Sequence, residues 1–512
     1  MSQKNATQAL KNTLFLYVRM LVVMIIGLYT SRVILSTLGF EDFGIYNVVG
    51  SVVIFFSFLN SALTNATSRY LTYELGKEGH QRLDATYSMA VNSHLILAAV
   101  LFVVMEIGGV WFVNHRLNIA PERMTAANWC YQFSLIVFCF SVIRVPFHSN
   151  VIAHEKMDFY AVASIVEASF KLGIVFLLLA SPIDKLITYS FLMAMVAVVM
   201  LLAYIIYCKV ALQDCHFKRY WDGGMLRCFA SYSGYSMLVN GADGVTVQCR
   251  NVFFNWFTGT LANAAMGIAN QVISLLNVFV ESFAQALRPQ IIKSYAAGER
   301  GYFMQLLHSA SKMNYYLFLL IGVPIALNLD YILTLWLGEY PPLTAPFVLA
   351  IMAYTAFDVF QQPLWQAVHA TGNLKTHQIM IASIKIIAIP ATYLILWLGY
   401  SPVVALYVWA GLNAVCAIAR TLYMRKLIGL SLKSYCQDVL FKIILVTLLS
   451  LPIPLLLCWL IKSEWLQMAL TTIASVSITA AVSYLIGLSS TEKHFLHNLS
   501  AVQRVVSAFK RP

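Results

Sequence analysis

Residues 19–79 read RMLVVMIIGLYTSRVILSTLGFEDFGIYNVVGSVVIFFSFLNSALTNATSRYLTYELGKEG. Two apolar runs flank the short polar turn Gly39-Phe-Glu-Asp-Phe-Gly44. At about 1.5 Å per helical residue, each run is long enough to cross a hydrocarbon core of about 30 Å. Neither run confines its apolar residues to one stripe, so the pair predicts a transmembrane helical hairpin. Arg69 and the charged Gly76-Lys-Glu-Gly79 mark where the second helix leaves the lipid.

The same pattern continues along the chain. Apolar runs bounded by charges, Gly or Pro fall at 13–36, 44–66, 85–113, 125–148, 159–180, 186–207, 227–256, 260–286, 303–328, 346–368, 377–398, 402–419, 439–461 and 465–488. A β-barrel would need short strands alternating in polarity, whereas VAVVMLLAYIIY at 196–207 is apolar throughout. Composition agrees: of 512 residues, 60% are hydrophobic and only 11% charged, with a mean hydropathy of +0.73. The expected fold is an all-α polytopic membrane protein of about fourteen transmembrane helices, with no separate soluble domain. The first run is too long for the apolar core of a signal peptide and is expected to stay as a membrane helix.

The net charge of +12 suggests nucleic acid until it is placed on the topology. With the N-terminus inside, cytoplasmic segments hold 22 basic residues, including Lys77, Arg82, Lys218, Arg219, Arg425, Lys426 and Lys510, against four outside: Arg116, Arg123, Lys185 and Lys462. The positive-inside rule then puts both termini in the cytoplasm, and no nucleic acid is needed. The nine cysteines form no CxxC pair, and Cys208, Cys215 and His216 fit no common metal spacing, so no metal site is expected.

An internal repeat divides the chain. Gly298-Glu-Arg-Gly301 follows the eighth run as Gly76-Lys-Glu-Gly79 follows the second; Arg250 answers to Arg32, and Arg288 to Arg69, at nearly the same offset. Two parallel six-helix lobes follow, at 1–212 and 225–426, pseudo-symmetric about a central cavity and joined by the polar linker 213–224. A helical hairpin at 427–490 is appended. From Thr491, Phe495, Leu499, Val502, Val506 and Phe509 recur at helical spacing, predicting an amphipathic tail on the inner leaflet.

Ionisable groups inside spans are costly and therefore candidates for function. The bases are Arg19, Arg32, Arg144, Lys171, Arg250, Lys312, Lys385 and Lys442; the acids are Glu106, Glu167, Asp243, Glu281 and Asp358. Lys442, near a span end, can snorkel. Glu167 and Lys171, at i and i+4 with the acid first, suit either a structural ion pair or a cavity role. Asp243, in Asn240-Gly-Ala-Asp-Gly244, and Arg250 come within about 20° on one helix face. Asp358 and Lys385 each precede a proline that can kink the helix, Pro363 and Pro390. Asp243, Glu281 and Asp358 are the candidates for coupling a sodium ion or a proton. His94 and His148, each alone in its span, read as packed or hydrogen-bonded side chains. No Walker A, GxSxG or HExxH sequence is present, so the chain is expected to be a transporter and not an enzyme.

The opening stretch, above all Leu38-Gly-Phe-Glu-Asp-Phe-Gly-Ile-Tyr46 and the terminal Arg69, resembles the start of bacterial polysaccharide flippases of the multidrug/oligosaccharidyl-lipid/polysaccharide exporter superfamily. The six-plus-six-plus-two layout carries the likeness along the whole chain. The resemblance implies movement of undecaprenyl-pyrophosphate-linked oligosaccharide to the outer leaflet by alternating access, in surface polysaccharide (O-antigen type) synthesis. It also implies a cationic cavity and a place beside polysaccharide polymerase machinery. Arg19, Arg32, Arg144, Arg250 and Lys312 would then attract the pyrophosphate, and the lipid tail would stay in the bilayer. The alternatives are a multidrug exporter expelling organic cations against sodium or protons, which should favour acids in its spans, and a membrane glycan polymerase or ligase, which would need an external reactive loop.

Overall fold

The computed structural model describes residues 3–54, 83–154, 156–212, 244–371 and 374–490, and the single positions 67, 71, 74, 223, 492 and 493. Every regular element among them is helical. Among the described residues, eleven helical stretches are long and apolar enough to cross a membrane, or twelve if one bent pair counts as a span. The polytopic all-helical architecture read from the sequence is the one observed. Predicted spans two and seven lie partly outside the described residues, as do the GKEG segment at 76–79, Arg69, the linker and most of the tail. Side chains expected to meet lipid do lie open: Ile107, Leu177, Ile206, Trp397 and Trp459 are all more than half exposed.

The chain divides into two compact units, Met1–Gly267 and Ile268–Pro512. In the first unit, α1 (Gln3–Ile54) breaks at Gly39, whose φ of 77° and ψ of 174° are non-helical. A side chain would strain that left-handed backbone, so glycine permits the turn that separates the first two predicted spans. Next come α2 (Leu83–Arg116), α3 (Met124–Ala153), α4 (Met157–Ala180), α5 (Lys185–Ala211) and α6 (residues 244–258). Val48, Met105, Tyr131, Leu135, Val142 and Leu186 form the centre of the core between α1, α2, α3 and α5.

At the Gly39 end of this unit, polar groups fasten the helices where the apolar core runs out. Arg123 reaches Asp42 at 2.6 Å and Asp184 at 2.6 Å. The Lys185 ammonium donates to the Thr37 carbonyl at 3.2 Å. The fully buried Asn255 accepts from the Asn118 amide at 2.7 Å and donates back to its carbonyl at 3.2 Å. Burial pushes the Asp184 carboxyl up, but hydrogen bonds from Arg123 and the Ile187 and Leu186 amides outweigh it, and the carboxyl sits below its usual range.

The second unit contains most of α7 (Thr260–Ala296), then α8 (Arg300–Leu327), α9 (Leu329–Leu337), α10 (Thr344–Val359), α11 (Gln362–Thr371), α12 (Leu374–Ile386), α13 (Ala388–Trp397) and α14 (Pro402–Ile428). The appended segments are α15 (Leu432–Tyr435), α16 (Phe441–Ser450), α17 (Pro452–Leu460) and α18 (Glu464–Val482). Prolines divide three of the predicted spans, because each removes an amide donor and crowds the preceding turn. Span ten bends by 42° between α10 and α11 at Pro363, span eleven breaks before Pro390, and span thirteen breaks before Pro452. Helix α14 runs nine residues past the predicted end of span twelve, stopping at Gly429, which adopts the left-handed φ of 74° behind Arg425 and Lys426.

The segment after α18 is pinned to α8. Glu492 accepts from Lys312 at 2.9 Å with both side chains almost wholly buried, and from the Ser489 amide at 2.7 Å, while the Glu492 amide donates to the Ser489 hydroxyl. This is a reciprocal capping box closed by a buried ion pair. Burial raises the Glu492 carboxyl, yet hydrogen bonds from Ser309, Lys312 and the Ser489 amide bring it below its usual range. The pairing therefore holds at neutral pH and weakens only as pH falls through that depressed value. Lys312→Ala leaves a buried carboxylate unpaired and should lower stability by about 3–5 kcal/mol. The Lys312→Met/Glu492→Met double variant should recover most of the loss, since no charge is then stranded. Thermal unfolding in detergent reads both; equal melting of Lys312→Ala and wild type would contradict the assignment.

Candidate functional site

The first unit gathers charge where α3, α4 and α5 meet. Arg144 Nη1 donates to Glu167 Oε2 at 3.0 Å, and Lys171 Nζ to Glu167 Oε1 at 2.8 Å. Glu167 and Lys171 lie one turn apart on α4, and Arg144 crosses from α3. One carboxylate thus serves two cations, leaving the group one charge positive. Its members are a quarter to two-fifths exposed, so the surplus can be approached. The Arg144 guanidinium also stands 5.7 Å from the Tyr204 ring centre, in cation–π range. Tyr204 begins an aromatic wall that includes His148, Tyr160, Phe159 and Tyr207. Guanidinium and ammonium beside aromatic faces can receive phosphate oxygens and the apolar faces of sugar rings.

Arg250 lies on α6 and is 7% exposed. Eight residues separate it from the helix end at 258, a rise of about 12 Å, near the middle of a bilayer core. Arg32 is exposed on α1 ahead of the Gly39 turn, and Arg19 lies on the same helix. Lys312 is in the ion pair with Glu492 described above. Asp243, expected to share a face with Arg250, lies outside the described residues. Of the remaining intramembrane groups, Glu106 accepts from Gln132 at 2.9 Å, and the buried His94 bonds the Ala90 carbonyl at 2.7 Å. An uncharged cavity of about 310 Å³ also opens in this unit, lined by Tyr46, Asn47, Ser134, Phe138, Ser141 and Ser190 among others.

The second unit brings Glu281 and Asp358 together. From α7 and α10 they line one cavity of about 330 Å³ with Ala284, Gln362, Trp365, Gln366 and His369. The bend before Pro363 makes this possible: it carries Asp358 on one half-helix and Gln362, Trp365, Gln366 and His369 on the other. The Gln366 amide nitrogen donates to the Ala284 carbonyl at 2.9 Å, while its oxygen is buried without a hydrogen-bond partner among the described residues. Two carboxylates and an orphaned amide oxygen form an oxygen-rich set suited to a proton or a monovalent cation. No group of three or more His, Cys, Asp or Glu fit to hold a metal ion occurs among the described residues.

One buried base was missed in the sequence. Ending span twelve at 419 made Arg420 a cytoplasmic residue, yet it sits inside α14 and is 8% exposed. The signal that could have kept it in the span was the uninterrupted helical run to Gly429, with Arg425 and Lys426 in the last turn.

Two bundles of membrane helices, a broken helix lined by carboxylates and a partly neutralised cationic cluster make up a polytopic membrane protein. The comparisons agree. A family model described as "Polysaccharide biosynthesis protein" matches residues 9–295, and the chain belongs to that family. The uncharacterized membrane protein EpsK of Bacillus subtilis (strain 168) is 18% identical over 370 residues, covering 70% of this chain and 71% of its own. Among solved structures, the lipid II flippase MurJ in an inward closed conformation superposes with a TM-score of 0.71 at 14% identity, covering 92% of this chain and 98% of that one. An outward-facing multidrug resistance MATE family transporter of the MOP superfamily gives 0.61 at 14% identity, covering 82% and 96%. The chain thus has the fold of these solved flippases and transporters, as the resemblance in its opening stretch implied.

Proposed function

We propose that the chain flips undecaprenyl-pyrophosphate-linked oligosaccharide from the cytoplasmic to the outer leaflet of a bacterial inner membrane, by alternating access, with both termini cytoplasmic. The observation that carries this reading is the basic character of the intramembrane charge: Arg250 buried on α6, and Arg144 with Lys171 sharing one carboxylate. A diphosphate leaving water needs such partners, and arginine meets its oxygens through paired donors. Arg19 and Arg32 would extend the cationic path, while Lys312, held by Glu492, serves stability. The Glu281–Asp358 cavity would take up sodium or a proton and tie its gradient to the conformational cycle. Polymerisation machinery on the outer side would consume the delivered oligosaccharide.

A second reading, export of organic cations, is favoured by that same acidic cavity and its Trp365 face, which could receive a cationic aromatic compound. Reconstitution in liposomes with a labelled polyprenyl-diphosphate oligosaccharide decides between them. Appearance of label on the opposite leaflet is expected; transport of dye cations with no movement of the lipid would overturn the flippase reading.

A further inference from the structure

Arg420 is a buried arginine whose hydrogen bonds go to neutral groups. Its Nη1 donates to Gln361 Oε1 at 2.8 Å, and its Nε to His377 Nε2 at 3.2 Å. Among the described residues no carboxylate pairs with it. A guanidinium offers five N–H donors, so these two bonds leave capacity unused. His377, fully buried, must leave Nε2 unprotonated to accept from Arg420. Its Nδ1 therefore carries the proton, and among the described residues that atom has no hydrogen-bond partner. His369 and Lys385 are further basic neighbours within electrostatic range of His377. Trp365 and Tyr423 close the surroundings, with ring centres 5.4 and 5.7 Å from the imidazole.

The arrangement is held by the same bend that builds the acidic cavity. Gln361 lies at the junction of α10 and α11, three residues after Asp358, and its amide nitrogen is fastened to the Phe357 carbonyl. The acidic cavity and the basic cluster thus share one break in a membrane helix, with Trp365 and His369 adjoining both. An unpaired buried cation is costly, and a surplus of donors around it calls for an anionic acceptor. Arg420 lies eight residues before the end of α14 at Ile428, about 12 Å by helical rise. That end is the one the charge asymmetry assigns to the cytoplasm, where a lipid diphosphate would be collected.

We propose that Arg420, set by Gln361 and His377, forms a diphosphate-binding subsite in the second unit, additional to the cationic cluster of the first. It rests on the flippase reading and adds to it a second anchor for the headgroup. The ligand chemistry is a diphosphate, either a polyprenyl headgroup or the free anion.

Gln361→Glu provides the sharpest test, because it gives Arg420 an acidic partner with almost no change of shape. Binding of radiolabelled farnesyl diphosphate to full-length protein in nanodiscs should weaken about 10- to 100-fold, the effect of losing a charge-assisted contact, while the new ion pair with Arg420 offsets the lost amide bond to the Phe357 carbonyl and the protein stays folded. Arg420→Gln should show a comparable loss, and Arg420→Lys should keep part of the affinity. Competition by inorganic diphosphate as effective as that by farnesyl diphosphate would mark the free anion as ligand; competition by the lipid alone would mark the headgroup. Unchanged binding in a stably folded Gln361→Glu protein overturns the subsite, and if that protein still translocates lipid, the flippase reading survives its loss. A wild-type protein that neither binds diphosphate nor moves the lipid overturns both.

Discussion

Arg250→Glu is expected to lower translocation of a polyprenyl-diphosphate oligosaccharide by at least about 100-fold while the protein still reaches the membrane, since reversing a charge both removes an attraction and adds a repulsion at the same place. The expectation follows from where Arg250 stands. It is nearly buried on α6, about half-way across the hydrocarbon by helical rise, where a diphosphate would otherwise lose its hydration without replacement. Arg250→Lys keeps the charge but loses the planar fork and should fall only about 10-fold. A structural role would show instead as reduced membrane protein and earlier unfolding in both variants. Flip rates normalised to protein in the liposome separate the two, and a full rate in Arg250→Glu would remove Arg250 from the path.

The parts of this molecule that could be read from its sequence are those written in local chemistry. Spans were legible because lipid solvates no backbone group, so each crossing must be a long apolar helix. The Gly39 turn was legible because glycine and two acids interrupt an apolar run, and the bends at Pro363 and Pro390 because proline cannot complete a helical ladder. The Glu167–Lys171 pair was visible in its i,i+4 spacing. Less visible was everything that depends on which helices become neighbours. Nothing local says that Arg144 would join that pair from α3, that Arg123 would bridge Asp42 and Asp184, or that Lys312 would meet Glu492 from 180 residues away. Arg420 escaped for a different reason. A basic residue near a helix end satisfies the positive-inside pattern whether it faces water or is enclosed by Gln361 and His377, and hydropathy cannot distinguish the two.

Glu281→Gln combined with Asp358→Asn should abolish the dependence of transport on an ion gradient, reducing the gradient-driven rate by about 100-fold or more to its uncoupled level. The two carboxylates line one cavity with the Gln366 oxygen, and a cation or proton shared between them would offset the cost of placing their charge inside the membrane. An ion can bias a conformational equilibrium only by its difference in affinity for the two states. The bend between α10 and α11 supplies such a difference, because a change in its 42° angle would alter the separation of Asp358 from Gln362 and Gln366 and so the quality of the binding set. The amide substitutions keep size and hydrogen-bonding capacity while removing the charge, so loss of coupling should come without loss of fold. Either single variant should retain a weakened response, since one carboxylate can still take a proton. Imposed sodium and pH gradients, applied separately to liposomes, identify the ion: the one whose gradient drives wild type but not the double variant. A double variant that answers both gradients as wild type does would place coupling elsewhere. Asp243 on the first unit's side of the chain would then be the next acid to neutralise.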